Sequence, residues 1–227
     1  MKKIIITAVA TILAATTLAL IPNFVSNEKV NNTSNVEDNI YATISFGSGD
    51  AVIDMESVNA LYDFADLVVV GNITKKADAT MSEFSPFPYT PYNMTAEKVI
   101  KGDIAEKEIQ FNVSGGAVTI KTFIENTKST WERAEKMGLT KLSEKEQESK
   151  YIQYISNHTD EYAVGESYIM ILKKCADGTY TVIDDNGTIE IGDYEILDSI
   201  NSKKDVIQIA DIVKNGEDLS TYVSVTE

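Results

Sequence analysis

Three of the chain's four prolines, Pro86, Pro88 and Pro91, fall within the stretch SPFPYTPY, Ser85 to Tyr92. Each fixes φ and removes a backbone N–H. Residues 84–91 are therefore expected to form a stiff, extended excursion or a sheet edge, neither a helix nor a central strand. Both flanks are strand-like. LVVVGNIT, Leu67 to Thr74, is a β-branched run of the kind found where a strand is buried on both faces. Tyr92 to Ile100 resumes the strand pattern and stops at the turn signal Lys101-Gly102-Asp103. The proline segment thus joins two neighbouring strands.

Elsewhere the pattern alternates between helix and strand signals. Asp54 is placed to cap a short helix whose Val58, Leu61, Tyr62 and Ala65 form one apolar stripe. Ile109, Phe111 and Val113 alternate with Gln110 and Asn112 up to Gly115-Gly116, and Val118, Ile120 and Thr122 carry the alternation past the glycines. From Ser129 to Ile155 the composition turns to Glu, Lys, Gln and Ala, with capping-box spacings at Ser129/Glu132 and Ser143/Glu146. This predicts two polar surface helices parted at Gly138, anchored by Trp131 at one end and by Tyr151, Ile152, Tyr154 and Ile155 at the other. Asp177-Gly178 and Asn186-Gly187 between apolar runs predict a three-stranded meander over 167–191. Ser202 opens a last helix with Val206, Ile209, Ala210 and Val213 on one face, closed by Asn215-Gly216. The expected fold is mainly β with helical additions (α+β): an OB-like barrel with a helical insertion at 125–160 and a C-terminal helix.

Lys2 and Lys3 precede the apolar run Ile4 to Ile21, the layout of a signal peptide. The run is also long enough to remain as an anchor. Residues 1–24 are accordingly read as a signal peptide or N-terminal anchor, 25–50 as a disordered tether rich in Asn, Ser and acidic groups, and 51–227 as a single domain. The expected location is secreted or extracytoplasmic, with membrane contact only through the N-terminal segment. Cys175 is the sole cysteine, so no intramolecular disulfide supports the domain and its stability must come from its core. A formal net charge of −15 makes nucleic acid a poor partner. It suits cations, basic peptides or a basic protein surface.

No set of residues reads as a catalytic device. His158, the only histidine, sits in the polar sequence NHTDE with no marked nucleophile near it. One His and one Cys do not make a zinc site. Gly115-Gly116 lacks the Lys-Ser/Thr of a phosphate loop. The segment Asp184 to Asp193 invites a calcium reading, but Val182 stands where the first carboxylate of an EF-hand loop belongs; a tight hairpin at Asn186-Gly187 accounts for the same residues. The expectation is a non-enzymatic binding module without cofactor or metal, the alternatives being an envelope hydrolase or peptidase and a structural surface protein.

ADLVVVGNIT (Ala65 to Thr74), a strand ending EKVIKGD (Glu97 to Asp103), the Gly115-Gly116 pair and GESYIMIL (Gly165 to Leu172) resemble a group of uncharacterised exported proteins of Gram-positive bacteria. The first two pieces also resemble the netrin-like domain of the tissue inhibitors of metalloproteinases. The likeness covers about residues 55–191 and implies the barrel, while function does not follow from fold. Those inhibitors place a cysteine at the mature N-terminus to grip the protease zinc. This chain has none before Cys175, so that mechanism is not implied. The resemblance makes the proline-rich segment the family's variable loop between first and second strands. Phe84, Phe87, Tyr89 and Tyr92 are accordingly expected to form a stiff aromatic contact surface for an extracellular or cell-envelope protein or peptide. The competing expectation is that these rings cap one mouth of the barrel.

Overall fold

The computed structural model describes residues 36–46, 53–83, 85–156, 161–192, 197–219 and 222. In chain order the elements are β1 (Ile40–Phe46), α1 (Val58–Phe64), β2 (Leu67–Lys76), β3 (Thr80–Met81), β4 (Pro88–Lys101), β5 (Glu108–Ser114), β6 (Gly116–Thr119), α2 (Ile120–Asn126), α3 (Lys128–Lys136), α4 (Glu144–Ser149), β7 (Tyr151–Ser156), β8 (Ser167–Lys174), β9 (Tyr180–Val182), β10 (Thr188–Glu190) and α5 (Lys203–Lys214). Residues 1–24 and His158 lie outside the described residues. Among the described residues no helix is long and apolar enough to cross a membrane.

The protein is mainly β, with a closed five-stranded barrel and a few helices, consistent with an OB-like barrel. β2 pairs with β4, β4 with β5, β5 with β9, β9 with β8, and β8 closes on β2. All of these pairings are antiparallel except β5–β9, which is parallel. The β-branched run at the start of β2 forms its strand because both faces are covered. Leu67, Val69 and Ile73 fill the barrel interior with Met94, Phe111, Met170 and Leu172. Val68 and Val70 point outward, under Leu61 and Tyr62 of α1 and Val206 and Ile209 of α5. Interior residues from facing strands interlock, so the barrel is a packed core and not a channel.

The proline segment departs from expectation. Pro88 and Pro91 lie inside β4, which is central: Pro91 is opposite Asn112 of β5 while Tyr92 is opposite Lys76 of β2. A strand residue's N–H and C=O point to the same side, and the carbonyls locate the missing donors. Pro91 accepts from Ala77 N–H (2.9 Å), and Pro88 from Gly115 N–H (2.9 Å). Ala77 lies just past the end of β2 and Gly115 just past the end of β5. Each proline therefore occupies a rung where the neighbouring ladder has run out.

A second, three-stranded sheet has the order β1-β7-β6, β1–β7 parallel and β6–β7 antiparallel. It corrects three readings. Residues 40–46, assigned to the tether, form β1. The strand expected through Val118, Ile120 and Thr122 stops at Thr119, the end of β6, which caps α2 by accepting from Thr122 N–H. Tyr151 to Ile155 belong to β7 and not to a helix; in sequence their alternation with Gln153 was overshadowed by the helix-forming residues before them. The inner face of this sheet packs Val118, Ile152 and Tyr154 against Ile120, Phe123, Ala134 and Leu139 in a core of its own. Gly115 and Gly116 have φ of +103° and +120° and turn the chain from the barrel into this sheet. A Cβ on Gly116 would lie 2.5 Å from Ala79 Cβ and 2.6 Å from Thr90 Oγ1.

Helix caps follow local chemistry with two shifts. Ser57, not Asp54, caps α1, and Asp54 accepts from Glu56 N–H instead. The capping box of α3 is Thr127/Thr130, not Ser129/Glu132. Ser143/Glu146 and Ser202 cap as expected. Hydrogen bonds from Ser143 hold the Glu146 carboxyl down at about 2, aided by Lys150. Trp131 is 44% exposed and is not among the residues of the second core. The expected meander is also revised: β9 and β10 lie along the same β8 strand, β9 opposite Leu172–Lys174 and β10 opposite Tyr168–Met170. Asn186-Gly187 forms part of a 3-10 turn, not a hairpin, because Asp184 caps it by accepting from Asn186 N–H at 3.1 Å.

Candidate functional site

Of the four aromatic residues expected to form one contact surface, the three that are described are not brought together. Phe84 lies outside the described residues. Phe87 is half-buried, its ring centroid 6.0 Å from Tyr154 and 5.9 Å from the Arg133 guanidinium carbon. Tyr89 is half-buried in β4. Tyr92 is 2% exposed, stacked 5.6 Å from Phe111 and edge-on to Tyr162 at 5.4 Å. Strand periodicity explains the split: Tyr92 shares the inward face of β4 with Met94 and Ala96, while Phe87, ahead of the strand, meets the second core. Tyr92 belongs to the barrel core, together with Tyr162, a residue not singled out from the sequence. Beside these rings Lys76 Nζ pairs with Glu161 at 2.8 Å. Burial raises the Tyr92 phenol pKa, although Lys76 acts the other way.

Because Phe87 packs on Tyr154 and Arg133, Phe87→Ala is expected to cost about 2 kcal/mol, below the full-burial range for a phenylalanine because the ring is only half-buried. Urea unfolding reads this directly. A midpoint equal to the parent's would return Phe87 to the role of a free surface ring.

A cleft of about 780 Å³ lies at the start of β5. Its floor is the β4–β5 connection, Asp103 to Glu106; one wall is the start of β5, Glu108 to Gln110; the other is Lys174 with the β8–β9 turn, Asp177 to Tyr180. It exists because the parallel β5–β9 seam is short. Only Phe111/Tyr180 and Asn112/Thr181 are paired, and below them β5 and the β8–β9 hairpin diverge. The hairpin is held by Cys175 N–H donating to Thr179 O at 2.7 Å. Gly178 supplies the turn with φ +89°.

The cleft combines three properties. Asp103, Glu106, Glu108 and Asp177 face it against a single Lys174. Thr179 donates through its hydroxyl (2.7 Å) and its N–H (3.0 Å) to Asp177 Oδ1, which lowers that carboxyl's pKa and keeps it ionised. Ile109, Ile104 and Tyr180 give it apolar footing, continuous with the barrel core. A strand edge also opens into it. Thr181 Oγ1 donates to Asn112 O at 3.1 Å, which shows that Asn112's backbone faces the β9 side. By the two-residue period of a strand the backbone groups of Gln110 and Glu108 face that side too, where β9 has already departed.

The lining holds carboxylates, one amine, one carboxamide, one threonine hydroxyl and a phenol. Among the described residues no three His, Cys, Asp or Glu side chains are grouped to hold a metal ion. Asp184 is committed to its 3-10 turn, with Asn186 Nδ2 also donating to it at 2.7 Å. Asp193 lies outside the described residues. Two turns legible in the sequence, Lys101-Gly102-Asp103 at the floor of the cleft and Asp177-Gly178 in one wall, border it, but no local signal brings two such turns together. No protein-family model matches the chain, and no curated protein matches it.

Proposed function

We propose that this chain is an exported, non-enzymatic binding module on an OB-type, netrin-like barrel, and that it holds an extended, cationic segment of a cell-envelope protein in the cleft between β5 and the β8–β9 turn. The OB-type reading is supported by the circuit in which the first barrel strand pairs with the second and fourth and the third runs parallel to the fifth. The binding reading is carried by one observation: an open strand edge, Glu108 to Gln110, inside a cleft whose side chains are predominantly acidic. Strand addition supplies main-chain hydrogen bonds, and the carboxylates select Lys and Arg side chains. Export is supported by the Lys2-Lys3 and Ile4–Ile21 layout.

The test is fluorescence anisotropy of a labelled peptide alternating Lys with Thr or Val, against a Glu-containing peptide of the same pattern. The Lys peptide is expected to bind and the Glu peptide not. The double variant Asp103→Lys/Glu106→Lys should weaken binding by about tenfold or more. Glu132→Lys/Glu135→Lys on α3 changes the net charge equally, away from the cleft, and should leave most of the affinity. Equal losses in both variants would mean that overall charge alone attracts the peptide, and the cleft assignment would fail.

A further inference from the structure

We infer that this chain self-associates through β1, two copies pairing their β1 strands antiparallel about a twofold axis to join their three-stranded sheets into one. β1 is the edge of the sheet β1-β7-β6. Its far side has no strand partner among the described residues. Edge strands are ordinarily blunted by Lys, Pro, an inward charge or extreme shortness. β1, IYATISF, spans 7 residues and contains no charge, proline or glycine. Such a strand is a template for another strand.

The face it belongs to points to the same occupant. Ile44, Ile152 and Tyr154 turn inward to the second core. The alternate residues Tyr41, Thr43 and Ser45 of β1 and Tyr151, Gln153 and Ile155 of β7 turn outward, in registers Thr43/Gln153 and Ser45/Ile155. None of the six carries a carboxylate or is itself charged; Lys150 Nζ lies over the Tyr41 ring, 5.2 Å from its centroid, and Tyr41 and Ile155 are 47% and 42% exposed. In a chain of net charge −15, two copies repel over most of their surfaces, and they meet with least repulsion where the strand face presents no carboxylate. A cationic partner gains nothing from such a face and is drawn to the acidic cleft instead. An antiparallel strand pair about a twofold is also self-complementary, the requirement for a closed dimer.

The experiment uses the full chain in a mild nonionic detergent that occupies the apolar N-terminal run, so that any association through that run is common to all variants. Sedimentation velocity of the parent is compared with Thr43→Lys and, separately, Ser45→Lys, each placing a cation on the open edge. The parent is expected to sediment as a dimer across about a hundredfold range of concentration, and both variants as monomers, a weakening of at least about a hundredfold in the dimer constant. Melting curves of the variants confirm that the fold is retained. In a Cys175→Ser background, Thr43→Cys should form intermolecular disulfides on mild oxidation much faster than Lys214→Cys on α5. A parent that is monomeric throughout overturns the inference. So does a dimer that survives both lysine variants, since it must use another face.

Discussion

Val69→Asp is expected to abolish cooperative folding at room temperature. Val69 is fully buried in the barrel interior with Leu67, Tyr92, Phe111 and Met170. The substitution forfeits about 2 kcal/mol of apolar burial and places an unpaired carboxylate in the core, which costs several kcal/mol more whether it stays charged or takes up a proton. A total of about 5 kcal/mol or more matches the entire stability of many domains. Val164→Asp, at a position 56% exposed, should shift stability by no more than about 0.5 kcal/mol. Circular dichroism melting of both variants decides the matter. A cooperative transition in Val69→Asp close to the parent's would mean that β2 does not line a closed barrel.

Asp205→Ala should cost about 3 kcal/mol at neutral pH and much less in acid, because it removes a buried charged acceptor with several donors. Asp205 is 2% exposed in the first turn of α5. Its Oδ2 accepts from Asn201 N–H at 2.9 Å and Ser202 Oγ at 2.8 Å, and its Oδ1 from the Tyr222 hydroxyl at 2.8 Å. The site also lies at a helix N-terminus, where negative charge is favoured. Burial pushes the carboxyl's pKa up, but the bonds from Asn201, Tyr222 and Ser202 outweigh it and the net shift is downward. A carboxylate with a depressed folded pKa adds stability above its unfolded value of about 3.9 and loses it as pH falls through the folded value. The difference in urea midpoint between parent and variant should therefore be constant from neutrality to about pH 5 and narrow below about pH 4. A difference independent of pH would show that Asp205 acts through packing alone. Tyr222→Phe, which leaves the ring and removes one donor, should reproduce part of the effect.

The two sites show how one residue type changes meaning with its surroundings. Asp205 is surrounded by donors and fastens the C-terminal segment, through Tyr222, to α5. Asp103 and Glu106 are exposed on the cleft floor with no such donors, and their charge is available to a ligand.

The sequence by itself determined the local elements whose signals are short-range. The run Leu67 to Val70 marked a strand buried on both faces, the alternation Ile109-Phe111-Val113 marked β5, and Ser143/Glu146 and Ser202 marked helix starts, because each depends on residues within a few positions. Only the tertiary structure decided where partners end. Pro88 and Pro91 look forbidden in a central strand until the ends of β2 and β5 are known, since a missing N–H matters only if a neighbour waits for it. β1, IYATISF, looked like tether because it follows a stretch rich in Asn, Ser and acidic residues and gains its stability from β7, more than a hundred residues later. The cleft has the same origin. Its floor and one wall lie at turns that the chain signals clearly, but their meeting beside an open strand edge follows from how early the β5–β9 seam stops, and that is set by barrel closure and not by any neighbouring residue.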